Sequence, residues 1–184
     1  MIIYKSRTNT EREKHMWRDE RLIGLYKRVY SRAGLVRALK IGGAVSTFAV
    51  VAAFAYALGV LLFVGEYISA VKLAVFSAVP FFAVTLMRML IDCERPYEVF
   101  VIDELAELKE KRKKGQSFPS RHVFSAFVIG TLWFSYNPIF GISVLACGVI
   151  LALARVLLGI HFIKDVVAGA VIGILSGVVG ILIW

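Results

Sequence analysis

Long apolar stretches alternate with short polar segments along most of the chain. The first stretch, residues 41–64, is long enough to cross the roughly 30 Å hydrocarbon layer of a membrane as one helix. Four more follow; the second contains Pro80, which membrane helices tolerate, and the third is the shortest. We therefore predict an all-α, multi-pass transmembrane helical bundle with about five spans, at residues 41–64, 73–91, 122–136, 139–158 and 166–184.

The N-terminal segment, residues 1–40, is mixed and basic. Its apolar residues recur at alternating steps of four and three, as one helical stripe flanked by lysine and arginine: Leu22, Tyr26, Val29, Ala33 and Val36. Such an N-terminal amphipathic helix suits the membrane interface, where it would contact anionic lipid headgroups. It equally suits a cytosolic helix packed on the loops. We divide the chain into this basic amphipathic segment, 1–40, and a transmembrane domain, 41–184.

Two further patterns predict structure and not chemistry. Residues 103–114 read as a short surface helix, in which Glu107 and Lys111 form a favourable pair one turn apart. The fifth span carries Gly169, Gly173 and Gly177 at intervals of four, a small-residue ridge. We expect this ridge to let helices of one bundle approach closely, in preference to making a dimer.

Composition agrees with a membrane protein, and the positions of the basic residues predict its orientation in the membrane. The apolar fraction is 59% and the mean hydropathy is +0.75, far above a soluble domain. The net charge of +9 does not indicate a nucleic-acid partner, because the basic residues cluster beside the apolar runs. With five spans, 21 of the 22 lysines and arginines lie on one side of the membrane, and only Lys72 lies on the other. The positive-inside rule thus predicts a cytoplasmic N-terminus and cytoplasmic polar loops.

Three polar groups lie at the ends of spans, all on the same predicted side. Charged residues are costly there and are functional candidates by default. The first group runs from Arg88 to Arg95-Pro96, and we expect both guanidiniums on one helix face, suited to clamping an oxyanion. The second is Phe118-Pro119-Ser120-Arg121-His122, where Ser120 either caps the third span or helps its free N–H groups to bind an anion.

The third group connects spans four and five and contains Arg155, His161 and Asp165. A carboxylate four residues after a histidine can reach one ring nitrogen, fix the tautomer and leave the other nitrogen free to attack. Alternatively, Asp165 is an ordinary N-cap of span five and His161 a lone interfacial histidine. Together the three groups place the partners of a phosphoryl-transfer site at one membrane face.

The order Arg-x6-Arg-Pro, Pro-Ser-x-His and Arg-x5-His-x3-Asp resembles the signature of the PAP2 (phosphatidic acid phosphatase type 2) superfamily of membrane lipid phosphatases. The resemblance implies that His161 is the nucleophile and forms a phosphohistidine, that Asp165 orients it, and that His122 protonates the leaving oxygen. It assigns the phosphoryl oxygens to five residues: Arg88, Arg95, Ser120, Arg121 through its backbone N–H, and Arg155. It implies no metal and no cofactor.

The implied substrate is a lipid phosphate, either a glycerolipid phosphate of phospholipid metabolism or a polyprenyl diphosphate such as undecaprenyl diphosphate. The sequence does not choose between them, and it does not predict the oligomeric state. Two alternatives stay open: a lipid phosphotransferase that uses the same site, and a catalytically silent membrane scaffold with the same fold.

Three positions depart from the family pattern. Arg88 stands where the family usually has lysine, so a rigid fork replaces a point charge. Arg121 replaces a glycine; the backbone is strained if this position needs a positive φ, and the extra guanidinium could hold a second phosphate. Ala154 replaces a serine and removes one possible hydrogen bond.

Overall fold

The structure, a computed structural model, describes residues 9–100, 102–112 and 114–183, with side chains from residue 20 onward. This part of the chain is all-α and contains no strand. Its helices are α1 (Asn9–Tyr30), α2 (Ala33–Phe63), α3 (Tyr67–Ile91), α4 (Pro96–Val99), α5 (Asp103–Lys111), α6 (Arg121–Phe134), α7 (Pro138–Leu157) and α8 (Ile163–Leu182).

Four segments of the described chain are long and apolar enough to cross a membrane: α2, α3 extended by α4, α7 and α8. Their outward faces carry large apolar side chains; Phe63, for example, is 92% exposed and Ile139 80% exposed. A surface of this kind is stable in lipid and not in water. The predicted multi-pass integral membrane protein is confirmed.

The third predicted span is the short helix α6, which has 14 residues and is therefore only about 21 Å long. It packs against α8, α7 and α3 and lies at the centre of the bundle. Most of its side chains are buried, among them Phe124 and Val128. The preceding irregular segment is covered by protein as well, since Ser117 and Ser120 are both buried. Irregular backbone at membrane depth is tolerated only where protein shelters it, so α6 can be shorter than its neighbours.

The glycine ridge of α8 faces α6, as predicted for packing within the bundle. A Cβ at Gly169 would lie 2.6 Å from the carbonyl oxygen of Ser120, and one at Gly173 would lie 2.7 Å from that of Phe124. The two helix backbones approach so closely that only glycine fits between them.

The N-terminal stripe does not form one helix. The chain breaks at Ser31 and Arg32, and α2 begins at Ala33, so the stripe is divided between α1 and α2. The α1 part is buried against the polar end of the bundle, where Tyr26 contacts Phe100 with ring centroids 5.9 Å apart. Tyr30 donates a hydrogen bond to the carbonyl of Leu158 at 3.2 Å. Of the two open interpretations, these contacts favour the helix packed on the loops.

Helix α5 is the predicted surface helix and ends at Lys111, three residues early. Lys111 Nζ lies 2.9 Å from Glu107 Oε1, as expected, and both side chains are exposed. The opposite face of α5 contributes Leu105, which is fully buried with Tyr26 and Phe100.

Candidate active site

The three polar groups of the sequence meet at one end of the bundle. Arg88 comes from the last turn of α3, Arg95 is the N-cap of α4, and Ser120, Arg121 and His122 begin α6. The third group joins them from two helices: Arg155 from the last turn of α7, His161 from the turn that follows, and Asp165 from the first turn of α8.

The turn after α7 fixes the backbone of His161. Gly159 has φ +68°, and the N–H of Ile160 donates to the carbonyl of Arg155 at 2.9 Å, which is a Schellman cap. The N–H of His161 donates to the same carbonyl at 3.2 Å. A Cβ at Gly159 would come within 2.9 Å of Leu105, so α5 closes over this turn. The spacing between Arg155 and His161 therefore matches the Schellman cap that ends α7. This cap directs the imidazole of His161 toward the interior of the bundle.

Asp165 lies beside the Nδ1 atom of the His161 imidazole and is itself fully buried. Its Oδ2 lies 3.5 Å from Nδ1 of His161 and accepts the N–H of Phe162 at 2.9 Å. It also accepts the hydroxyl of Ser117. Asp165 is the third residue of α8 and accepts the N–H of the N-cap residue, Phe162, so it is not itself the N-cap; its approach to His161 agrees with the other interpretation. The ring is 2% exposed, so His161 is not a lone interfacial histidine.

Burial determines the protonation state of His161, which lies in the turn outside the membrane-spanning helices. The pKa of His161 is lowered to about 4: desolvation is the largest cause, the charges of Arg95 and Arg155 act in the same direction, and the Asp165 carboxylate opposes them. The imidazole is therefore neutral at neutral pH, as a nucleophile must be.

The start of α6 is tied to the start of α8. The N–H of Ser120 donates to the carbonyl of Asp165 at 2.9 Å. The hydroxyl of Ser120 does not cap α6, and this buried oxygen has no hydrogen-bond partner among the described residues. Arg121 has an ordinary helical backbone, because the positive-φ residues of the described chain do not include it. The strain considered for an arginine at this position is absent.

The two arginines of the first group do not share a helix face, contrary to the prediction from their spacing. Helix α3 ends at Ile91 because Asp92 adopts the left-handed conformation, φ 42°. Both guanidiniums nevertheless turn to the loop before α6. Arg88 Nη1 donates to the carbonyls of Pro119 and Ser117, the latter at 3.3 Å.

Arg95 binds the same loop two residues earlier. Its Nε donates to the carbonyl of Gly115 at 2.9 Å, and Nη2 donates to that of Gln116 at 3.4 Å. Arg88 is 4% exposed, and its Nε is a buried donor without a partner among the described residues. Arg88 and Arg95, which the sequence predicts to bind an oxyanion, therefore also support the loop that carries Ser120.

A cavity of about 310 Å³ ends at His122 and Arg121. Its walls come from α2, α3, α6 and α7 and are mainly apolar: Thr47, Val50, Val51, Phe81, Ser125 and Leu151. Val51 is 63% exposed, so the cavity reaches the outer face of α2. The Arg121 guanidinium lies 5.8 Å from the centre of the Phe81 ring. Arg88, Arg121 and Arg155 all lie close enough to His122 to act on it electrostatically, which places these residues around one site.

Four site residues escaped the sequence prediction. Glu98 accepts the N–H of Arg95 and of Gly115, both at 2.9 Å, and so joins α4 to the loop. Asp92 accepts the N–H of Gln116 at 3.0 Å. Ser117 and Gly159 are the other two. Gly159, four residues after Arg155 at the end of an apolar run, carried a helix-cap signal; the remaining three depend on long-range contacts that no local pattern reveals.

Ala154, the third departure, is buried in α7 against α2; a Cβ at Gly43 would lie 3.4 Å from its methyl group. Over the residues described, no group of three or more histidine, cysteine, aspartate or glutamate side chains is placed to hold a metal ion. The absence of a metal requirement stays a prediction.

A buried histidine beside a carboxylate, with arginines from three helices at the same end of a transmembrane bundle, has the groups that a phosphoryl-transfer site needs. The family model of the PAP2 superfamily matches residues 44–184, and the chain belongs to this superfamily of membrane lipid phosphatases. No curated protein sequence gives a significant match.

Two solved structures have the same fold. One is the first transmembrane PAP2 type phosphatidylglycerolphosphate phosphatase from Bacillus subtilis, with a TM-score of 0.68 and 17% identity over 96% of this chain and 87% of that one. The other is LpxE from Aquifex aeolicus, with a TM-score of 0.64 and 19% identity over 99% of each chain. At these identities the likeness shows the fold.

Proposed function

We propose that this protein is a metal-independent hydrolase of lipid phosphates that works through a phosphohistidine on His161. The observation that carries the proposal is the buried position of His161 beside Asp165. Its ring is neutral and buried, and Asp165 lies on its Nδ1 side. The proton then resides on Nδ1, and Nε2 keeps the lone pair that attacks phosphorus.

The proposed reaction has two displacements. In the first, Nε2 of His161 forms a bond to phosphorus while the bond from phosphorus to the lipid oxygen breaks, and His122 gives its proton to that oxygen. In the second, His122 takes a proton from water, the resulting nucleophile attacks phosphorus, and the N–P bond breaks. Inorganic phosphate leaves, and both histidines return to their starting states. One difficult displacement is thereby divided into two easier ones.

The phosphoryl oxygens are assigned to the donors around this ring. Two buried polar atoms without partners in the described part of the chain, Ser120 Oγ and Arg88 Nε, fit the role. The N–H of Arg121 is free at the helix N-terminus, and the guanidiniums of Arg95 and Arg155 add positive charge. Such fixed donors stabilise the charge that develops in the transition state.

The cavity supports a substrate that is part hydrocarbon. It joins a polar end, at His122 and Arg121, to walls formed by Val50, Val51 and Phe81, and it reaches the lipid-facing side of α2 at Val51. A phosphate head at the polar end would leave an attached chain along the apolar walls. Glycerolipid phosphates and polyprenyl diphosphates both have this form.

The direct test is phosphate release by the detergent-solubilised protein with a chelator present. Phosphatidate, phosphatidylglycerophosphate and a polyprenyl diphosphate are the substrates, and His161→Gln is the variant. His15→Gln serves as a matched histidine control, because His15 belongs to none of the three polar groups of the sequence. We expect release that survives chelation, disappears in His161→Gln and persists in His15→Gln. Activity that needs a divalent metal, or that survives in His161→Gln, contradicts the mechanism; phosphate transfer to an added alcohol would identify a phosphotransferase.

Arg121 bears on the choice between monophosphate and diphosphate. Its guanidinium lines the cavity beside His122, over the ring of Phe81, and forms no salt bridge to a described carboxylate. We propose that it holds a second phosphate, which would favour a diphosphate lipid. Arg121→Gly should then lower kcat/KM for the diphosphate by at least about 10-fold more than for a monophosphate, the effect of one charged hydrogen bond. Equal losses for both lipids would refute this role.

A further inference from the structure

Ser117 lies at the centre of the site but outside the family signature. Its exposure is 0%, and its backbone is fixed on both sides. The N–H donates to the carbonyl of Cys93 at 2.8 Å, and the carbonyl accepts Arg88 Nη1 at 3.3 Å. The direction of its side chain is therefore set by the loop and by α3.

The hydroxyl of Ser117 lies between the nucleophile and its carboxylate. Its Oγ donates to Oδ2 of Asp165 and is 3.3 Å from Nδ1 of His161. The direct separation between Nδ1 and Oδ2 is longer, 3.5 Å, and both distances from Nδ1 are somewhat beyond the usual N–H···O range of about 2.7 to 3.2 Å. The serine oxygen thus offers the closer acceptor.

With Asp165 ionised, the donors and acceptors of Ser117, His161 and Asp165 allow one favourable arrangement of the hydroxyl and ring protons. An ionised carboxylate only accepts, so the single hydroxyl proton of Ser117 points to Asp165. The lone pairs of Oγ then face Nδ1, which must carry the proton if the contact is to be favourable. Phe162 supplies a second donor to the same carboxylate oxygen at 2.9 Å and holds it in place.

We propose that Ser117 is a positioning residue that connects Asp165 to Nδ1 of His161 and thereby fixes the tautomer of the nucleophile. The proposal rests on the function proposed above. When Nε2 bonds to phosphorus, the ring becomes a cation that keeps its proton on Nδ1. Ser117 and Asp165 stabilise that cation by hydrogen bonds, and no proton leaves the ring.

Ser117→Ala removes the hydroxyl, and Ser117→Thr retains it. Ser77→Ala is the matched control, because Ser77 is a buried serine of α3 whose hydroxyl has no partner among the described residues. We expect kcat for lipid phosphate to fall about 10- to 100-fold in Ser117→Ala, the loss of one hydrogen bond to a charged group, with KM changed less than about threefold. Ser117→Thr should recover most of kcat, and Ser77→Ala should match the wild type.

A spectroscopic measurement separates positioning from general support of the fold. Nitrogen NMR of ¹⁵N-histidine-labelled protein, with His161→Gln for assignment, reports which ring nitrogen is protonated. The wild type should show the proton on Nδ1, and Ser117→Ala should show a mixture with Nε2. A wild-type ring protonated on Nε2 overturns the proposal even if Ser117→Ala does not fold. An unchanged kcat in Ser117→Ala, or equal losses in the alanine and threonine variants, also overturns it, whereas activity in His161→Gln would instead refute the proposed function.

Discussion

Replacing Gly169 by alanine tests whether the close packing of α8 on α6 sets the geometry of the site. A Cβ at Gly169 would lie 2.6 Å from the carbonyl oxygen of Ser120 and 3.4 Å from the nitrogen of Phe124. Both are backbone atoms and cannot rotate away. Ser120 also donates to the carbonyl of Asp165, so a shift of the helices alters the position of the candidate nucleophile's carboxylate relative to α6.

The size of the shift follows from the contact. Ordinary Cβ contacts begin at 3.4 Å, so α6 and α8 must separate by roughly 0.5 to 1 Å at this point. Overpacking of this kind costs about 1 to 3 kcal/mol of stability. A misplacement of about 1 Å in a catalytic arrangement can cost about 100-fold in rate. We therefore expect Gly169→Ala to lower both the thermal unfolding temperature and kcat, the latter by about 10- to 100-fold.

Two other glycines provide controls. Gly177→Ala makes an equally close contact, 2.6 Å to Cβ of Thr131, two turns further along α8 and away from the site. It should lower stability to a similar extent with a much smaller loss of kcat. Gly59→Ala on α2 meets no atom within 4 Å and should change neither quantity adversely.

The assay combines thermal unfolding in detergent with phosphate release at saturating lipid phosphate for all three variants. Selective loss of kcat in Gly169→Ala relative to Gly177→Ala supports the reasoning. Equal kcat values in these two variants would refute it, because helix separation beside Ser120 would then have no effect on the reacting groups.

Three further predictions concern the His161 imidazole, the loop that Glu98 holds and the orientation of the protein in the membrane. Because burial lowers the pKa of His161 to about 4, its imidazole should stay neutral as pH falls from 7 to about 5 and gain its proton near pH 4; a ¹⁵N NMR titration with a midpoint near 6.5 would contradict this. Glu98→Gln should lower stability by about 1 to 2 kcal/mol and reduce kcat, since one carboxylate accepts from both Arg95 and Gly115, and unchanged values in thermal unfolding and phosphate release would disprove the role of this contact. With the two native cysteines replaced by alanine, Lys109→Cys should resist an impermeant maleimide in intact cells and Lys72→Cys should react, and the reverse labelling would place the polar loops outside.

The fold could be predicted because lipid imposes a simple requirement on each span. A helix that crosses the membrane needs a long apolar run, and such runs are visible in the sequence without any knowledge of the contacts between them. The structure begins α6 at Arg121, one residue before the predicted start, and α7 at Pro138, also one residue early. The short length and the burial of α6 were harder to predict from the sequence, because they depend on the helices that surround it.

The break between α1 and α2 shows the limit of periodicity. The stripe from Leu22 to Val36 has helical spacing throughout, but Tyr26 packs on the loops while α2 must turn into the membrane. The hydrogen-bond partners in the site are equally non-local: Ser117 and Asp165 are 48 residues apart, and Gly115 and Glu98 are 17 apart. A sequence pattern identifies groups that can react, whereas the residues that hold these groups in place are known only from the folded chain.

The way the arginines are held is itself an argument for an anion. Arg88 and Arg95 donate to backbone carbonyls, and within the described residues neither forms a salt bridge with a carboxylate. A carbonyl orients a guanidinium without neutralising it, whereas a carboxylate would compete directly with phosphate for the same fork. A guanidinium has five N–H donors, so bonds to the loop leave others for a ligand. The one buried carboxylate of the site, Asp165, already accepts from Ser117 and Phe162 beside the His161 ring. The charges of the arginines therefore stay available for the phosphate of the proposed reaction, and the same bonds hold the loop that positions Ser117 and Ser120.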